Sequence, residues 1–350
     1  MKKAYSFAAI LNYWRIFIMH MADALLSPIV GGAMCAVSAG ALAYSAAKIK
    51  KDELCEKKLP IMAISGAFVF AAQMINFTIP GTGSSGHIGG GILLAAMLGG
   101  FPALLTISAV LIIQCLFFAD GGLLALCCNI FNMGVIPCLF IYPLIFKPLT
   151  KKGFNAKNIS LAAVIGVVVA LQLGAFGVVL ETLASGITQL PFGAFLLAMQ
   201  PIHLAIGVVE GIVTAAVLCF VYKMRPEILN STRSRTAISS GVNMRKIIVS
   251  LAVITVLVGG GLSLFASAYP DGLEWSMEKV AGTTELEASG EVHETAEKAQ
   301  EATAFMPDYD FKDANGSGTS VAGIVGVCIT FALAGGAGLI ISKLKKKNKS

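Results

Sequence analysis

Four histidines and one unusual loop hold most of the chemistry open to this chain. His20, His87, His203 and His293 are far apart in sequence, and imidazole is a common ligand for nickel, cobalt, copper and zinc. His87 ends the run Ile79-Pro80-Gly81-Thr82-Gly83-Ser84-Ser85-Gly86-His87, and Ile88-Gly89-Gly90-Gly91 follows. Gly81 to Gly86 satisfies G-x-G-x-x-G, but the run lies between apolar segments and not in a βαβ unit, so a dinucleotide is excluded. It nearly fits a P-loop too. His87-Ile88 stands where Lys-Ser/Thr is required, so ATP hydrolysis by that motif is excluded. What survives is a flexible, tightly turning loop that presents His87, with Ser84 and Ser85 beside it.

Met19-His20-Met21-Ala22-Asp23 becomes informative if Met19 is the mature amino terminus. A free α-amine, the next amide nitrogen and the His20 imidazole would then chelate one metal from consecutive residues. One more imidazole completes four nitrogens in a plane, which suits Ni(II) or Co(II). With residues 1–18 attached, the amine is an amide and the best donor is lost. Those residues have a short basic start and an apolar stretch interrupted by Asn12 and Arg15. A signal peptide, an interfacial segment and untranslated upstream sequence are all open readings.

His203 and Glu210 are seven apart, two turns along one helix face. Glu210 is an acid well inside an apolar segment, which marks it as functional. Orienting a ligand histidine, receiving the ion and locking helices together are all open to it. Asp23, Asp120 and Asn129 are further polar candidates, and His293, in an acidic stretch, reads as solvated. The eight cysteines include no C-x-x-C pair, and they read as apolar packing residues without a zinc motif or disulfide framework.

The elements that must position these residues are membrane helices. Of 350 residues, 56% are hydrophobic and 13% charged, where a soluble domain carries roughly a quarter charged. A soluble enzyme, a secreted disulfide scaffold and a disordered chain are excluded together. Apolar segments run about 24–47, 61–79, 88–118, 123–146, 159–183, 200–223, 247–267 and 321–342. Gly99, Gly100 and Pro102 break the third into two helices, about 88–99 and 102–118, joined by a tight turn. The expectation is an all-α polytopic bundle with nine crossings: a seven-helix core and a two-helix C-terminal hairpin.

Lysine and arginine cluster in loops 48–58, 147–157 and 223–246 and in the tail. All four fall on the cytoplasmic side only if 88–118 crosses twice. The region near residue 20, loop 80–87, the turn at Asp120 and the helix start near 200 then share the outer face, and His20, His87 and His203 with them. Segment 268–320, which holds 12 of the 20 acids, is also outside and is expected to have little packed core. Because the net charge of +6 resides in loops flanking apolar segments, it reports topology, and nucleic-acid binding is excluded.

Together these motifs resemble the substrate-binding membrane component of energy-coupling-factor nickel/cobalt transporters. The likeness covers Met19 to about Lys223. It rests on Met19-His20 followed by Ala-Asp-Ala-Leu-Leu-Ser-Pro, Gln73-Met74-Ile75-Asn76-Phe77 leading into Gly-Ser-Ser-Gly-His at 83–87, Asp120-Gly-Gly with Asn129, and His203 through Glu210 to Thr214. Pro270-Asp271-Gly272-Leu273-Glu274 resembles the PDGLE signature of the small auxiliary subunit of the same systems, here fused.

The resemblance implies an extension at 1–18, a seven-helix metal-binding component at 19–223, a basic cytoplasmic linker at 224–246 and an auxiliary domain at 247–350. It implies that the Met19 amine, the His20 amide and imidazole, and the His87 imidazole hold the ion. Ser84, Ser85, Asp23, Asn129, His203 and Glu210 would surround it or line its path. Co(II) or Ni(II) is then the transported substrate, with no organic cofactor. The implied partners are a transmembrane coupling subunit, cytoplasmic ATPase subunits and the lipid of the inner or plasma membrane, and this chain is not itself an enzyme. A self-sufficient permease driven by ion gradients is the competing reading; it would want several intramembrane carboxylates or an inverted repeat.

Overall fold

A computed structural model describes residues 20–51, 59–234, 244–284, 286–311 and 318–347. The chain is a bundle of α-helices with one two-stranded hairpin. After a 3-10 turn at Asp23–Leu25 come α1 (Pro28–Lys51), α2 (Leu59–Gln73), strands β1 (Phe77–Ile79) and β2 (Ser84–Gly86), α3 (Gly91–Leu98) and α4 (Gly100–Phe118). Next are α5 (Leu126–Leu149), α6 (Ala156–Ser185), α7 (Phe192–Met224) and α8 (Pro226–Ser234). The C-terminal part contributes α9 (Met244–Gly260), α10 (Gly272–Ala281), α11 (Glu291–Thr303) and α12 (Thr319–Lys347).

Local chemistry sets the boundaries. Pro28 opens α1 as a first-turn proline whose missing N–H costs nothing there. Asn155 caps α6 by accepting from the Asn158 amide at 2.8 Å. Gly99, at φ 89° and ψ 157°, separates α3 from α4 in a conformation that side chains disfavour. A Cβ on Gly91 would meet Pro137 and Met133, and Gly100 lies against Cys138. Further along α4, Leu104 and Ile107 pack on Gly134. The chain therefore descends along α5 and returns, as the glycine break implies.

Among the described residues, six helices are long and apolar enough to cross a membrane, where nine crossings were expected. The 88–99 stretch is helical only over the eight residues of α3, about 12 Å at 1.5 Å per residue, under half the hydrocarbon thickness. Segment 61–79 stops being helical at Gln73, and Leu59–Gln73 and Ala252–Phe265 are shorter apolar helices. For the first two segments the reason is the hairpin: residues 74–90 are spent on strands and turns, whose backbone pairs within the hairpin and with Ser267 and Pro270. Large side chains such as Ile29, Leu197 and Phe265 face outward from the helices, as lipid contact requires.

Helices α6 and α7 approach closely along Gly207-x-x-x-Gly211, where added Cβ atoms would lie 3.2 Å from the Val168 Cα and 2.8 Å from the Val164 Cα. Small residues let the two backbones pack tightly. The long α9 and α12 lie against α2. The acidic segment departs from expectation. Its Leu273 and Met277 are buried with Met21, Leu26 and Phe195, and its Met306 and Tyr309 join the main core. Short amphipathic helices, charged outside and apolar beneath, supply a packed interface that bulk composition conceals.

Candidate metal centre

Residues 20–26, which include the 3-10 turn at Asp23–Leu25, are pinned to the bundle by side chains. Asn129 accepts from the Met21 amide at 3.1 Å and donates to the Met21 carbonyl at 3.2 Å. Asp23 accepts from the Ala125 amide at 2.9 Å. Asn129 and Asp23 thus fix the backbone that carries His20. The His20 ring is buried, and its Nδ1 donates to Asp120 Oδ1 at 2.9 Å. With that nitrogen protonated, Nε2 is an acceptor, and it is buried without a hydrogen-bond partner. The His87 ring centroid lies 5.4 Å from that of His20.

His87 arrives by way of the hairpin, whose register pairs Phe77 with Gly86, Thr78 with Ser85 and Ile79 with Ser84. The loop read as flexible is an ordered turn: Thr82 donates to the Ile79 carbonyl and accepts from the Ser84 amide. Ser84 and Ser85 are fully buried and serve as ties. The Ser85 hydroxyl donates to the Tyr269 carbonyl at 2.7 Å, and the Ser85 amide to the Pro270 carbonyl at 2.7 Å. Beyond His87, one peptide unit is held at both ends. Gln73 donates to the Gly89 carbonyl at 3.0 Å, and Glu210 accepts from the Gly90 amide at 3.1 Å. Glu210 therefore touches the loop that carries His87.

A cavity of about 120 Å³ joins these groups; His20, His87, Asn129, His203, Glu210 and Asp271 are among its lining. The His203 Nδ1 donates to the Met199 carbonyl at 2.7 Å, which leaves Nε2 facing the wall made by Gly272. A Cβ there would lie 2.7 Å from the Ile206 Cδ1 and 3.1 Å from that nitrogen.

The P-D-G-L-E run acquires a physical meaning residue by residue. Pro270 supplies a carbonyl to the hairpin, Asp271 and Glu274 form a reciprocal capping box that starts α10, Gly272 permits the approach to α7, and Leu273 enters the core. Burial pushes the Asp271 carboxyl up despite its backbone donors. Asp120 goes the other way: burial opposes its charge, but His20, Tyr309 and His87 outweigh that and hold its carboxyl below the usual range.

The structure brings together His20, His87, His203 and Glu210, with Asn129 and Asp23 behind His20. Met19 lies outside the described residues, as does the extension before it. His293 is not solvated: it is buried, and its Nε2 meets the Leu26 carbonyl at 2.9 Å. Two polar residues escaped sequence reasoning. Tyr309 reaches Asp120, and Glu181, an acid in an apolar helix, accepts from Asn132 at 2.9 Å beside the cavity. Only Glu181 carried a readable signal, its charge within an apolar run. Among the described residues, no group of three His, Cys, Asp or Glu side chains is placed to hold an ion.

Residues 20–228 match the family described as the cobalt uptake substrate-specific transmembrane region, and residues 245–343 match the PDGLE domain. The chain belongs to this family. Over 323 residues it is 30% identical to an Archaeoglobus fulgidus protein that bears the name of a fused nickel transport protein, spanning 90% of this chain and 96% of that one. The fused nickel transport protein of Rhodobacter capsulatus is 30% identical over 277 residues, 74% of this chain and 76% of the other. A crystal structure of a transition metal transporter aligns with a TM-score of 0.52 at 30% identity, covering 62% of this chain and 100% of that one. This is a multi-pass membrane protein of a nickel and cobalt transport family, with its auxiliary domain fused in one chain.

Proposed function

We propose that this chain captures Co(II) or Ni(II) at the outer membrane face and passes it inward, as the substrate-binding component of an ATP-driven energy-coupling-factor importer. The observation that carries the reading is the buried, unpartnered His20 Nε2 in a cavity that His87 also lines. A lone pair desolvated without a partner is costly, and a bound cation would repay that cost. Asp120 behind His20 fixes the tautomer and the ring orientation, as carboxylates behind metal-bound histidines do. A chelate with the residue's own amide nitrogen closes only through Nδ1, which Asp120 occupies here. In this reading His20 contributes Nε2, in place of the amide-and-imidazole chelate that the resemblance implies. The Met19 α-amine, freed by removal or non-translation of residues 1–18, is the further nitrogen the sequence offers.

Separate ATPase subunits and a transmembrane coupling subunit supply the driving force in this reading, and the absence of a Walker motif in the sequence is consistent with that. The test is metal analysis and intact mass of the chain purified from membranes, together with its co-purifying subunits. One Ni or Co per chain beginning at Met19, with ATPase subunits attached, supports the proposal. A chain retaining Met1 and holding no metal overturns the site. Transport in vesicles without ATPase subunits overturns the coupling and favours a gradient-driven permease.

A further inference from the structure

We infer that Tyr309, carried by the C-terminal auxiliary part of the chain, is a positioning residue for the His20 imidazole and acts through Asp120. The inference rests on the metal-binding role proposed above for His20. The phenol donates to Asp120 Oδ2 at 2.6 Å while His20 Nδ1 donates to Oδ1 at 2.9 Å. Both carboxylate oxygens are thus engaged, one by each part of the chain, and Asp120 is 2% exposed. Tyr309 fixes where the carboxylate points, and the carboxylate fixes which face of His20 turns to the cavity.

Two independent features show that the phenol is held in place rather than merely near. Asp308 and Tyr309 have φ of 53° and 59°, a left-handed conformation that a bulky residue adopts only when its surroundings over-determine it. The Tyr309 ring stacks on Phe118 at 4.9 Å and 16° and meets Phe70 edge-on. Gln300, on α11, holds the same turn from a second point by donating to the Cys115 and Gly121 carbonyls at 2.9 and 2.7 Å. The auxiliary part grips the Asp120 turn on both sides. An aromatic ring alone would fill the space against Phe118; only the hydroxyl reaches Asp120, so ring and hydroxyl are separable.

The experiment titrates the full-length chain in detergent with Co(II) and Ni(II) and follows the ligand-field absorption of bound Co(II). Tyr309→Phe keeps the ring and is expected to weaken metal binding about 10- to 100-fold, the usual effect of losing a partner behind a ligand. It should also shift the Co(II) bands; the buried carboxylate loses a donor as well, so metal-free stability falls with it, and the spectrum is the readout that a merely structural role would not move. Phe118→Leu loosens the stack but keeps the hydroxyl; it should lower stability, with a smaller loss of Co(II) affinity than Tyr309→Phe causes. Tyr309→Phe combined with Asp120→Asn should bind no worse than Asp120→Asn alone, since residues in one network are not additive. A Tyr309→Phe chain with parental affinity and spectrum overturns the inference, as does full additivity in the double variant. A parent chain that binds neither metal overturns the proposed function itself, and the two failures are thereby distinct.

Discussion

Replacing Gly90 and Gly81 separately by alanine probes whether the loop behind His87 is built as described. Both residues are left-handed, with φ of 77° and 78°, so both variants incur the same backbone penalty, about 1–2 kcal/mol. Their surroundings differ. Nothing lies within 4 Å of a Cβ on Gly81, whereas on Gly90 it would lie 2.6 Å from Val69 Cγ1 and 3.1 Å from Cγ2. Val69 is fully buried in α2, and a β-branched side chain in a helix has essentially one rotamer, so it cannot swing aside. Overpacking of this kind adds about 1–3 kcal/mol. Gly90→Ala should therefore cost about 2–5 kcal/mol in all against about 1–2 for Gly81→Ala. Because the Gly90 amide also meets Glu210, Gly90→Ala should weaken metal binding as well, and Gly81→Ala should leave it intact. Thermal and denaturant unfolding of the purified full-length chain, with metal titration alongside, measures both. Equal destabilisation by the two substitutions would refute the placement of the loop against α2.

Glu210→Leu strands the buried Gly90 amide and should cost about 1–3 kcal/mol, while Glu210→Gln keeps an acceptor and should cost much less. Equal losses in thermal unfolding would mean that charge, not the hydrogen bond, is what Glu210 supplies. Asp271→Ala removes the capping box of α10 and should destabilise by about 0.5–2 kcal/mol, read as faster amide exchange over Gly272–Ala281; unchanged protection would contradict the cap. Nickel or cobalt at a hundredfold excess over Kd should raise stability by about 2.7 kcal/mol, seen as a higher melting temperature. His87→Ala should abolish that shift and leave membrane insertion intact. A shift that survives in His87→Ala would make the loop histidine a bystander.

Much of the architecture was legible because membrane helices announce themselves in composition, and Gly99 is a break that local rules can find. The shortness of α3 was not legible. Its apolar run looks like a crossing, and only the burial of the hairpin shows that depth is taken up by irregular chain. His20, His87 and His203 stood out by residue type and by the side of the membrane that lysine counts assigned them. Tyr309 did not, since one tyrosine near the end of an acidic stretch has no local mark, and its partner Asp120 is 189 residues away. His293 was misread for the related reason that an Ala- and Glu-rich helix gives little sign of which face is covered. Asp271 and Glu274 illustrate the middle case: their spacing is that of a capping box, but only the fold shows that the helix they start closes over His203.

The hairpin and its covering wall are joined across 193 residues, from Thr82 to Trp275, and this separation orders events in the life of the molecule. During synthesis His20 and His87 leave the ribosome long before Pro270, Gly272 and Tyr309. At roughly 5–20 residues per second the interval is on the order of ten seconds or more. Throughout it, the serines that will bond to Tyr269 and Pro270 have no such acceptors, and the cavity stands open on that side. On the proposed reading a nascent chain would meet metal through an unwalled site, and the enclosure is complete only when the last third of the protein has been inserted. Truncated products of interrupted translation would carry the histidines without the enclosure.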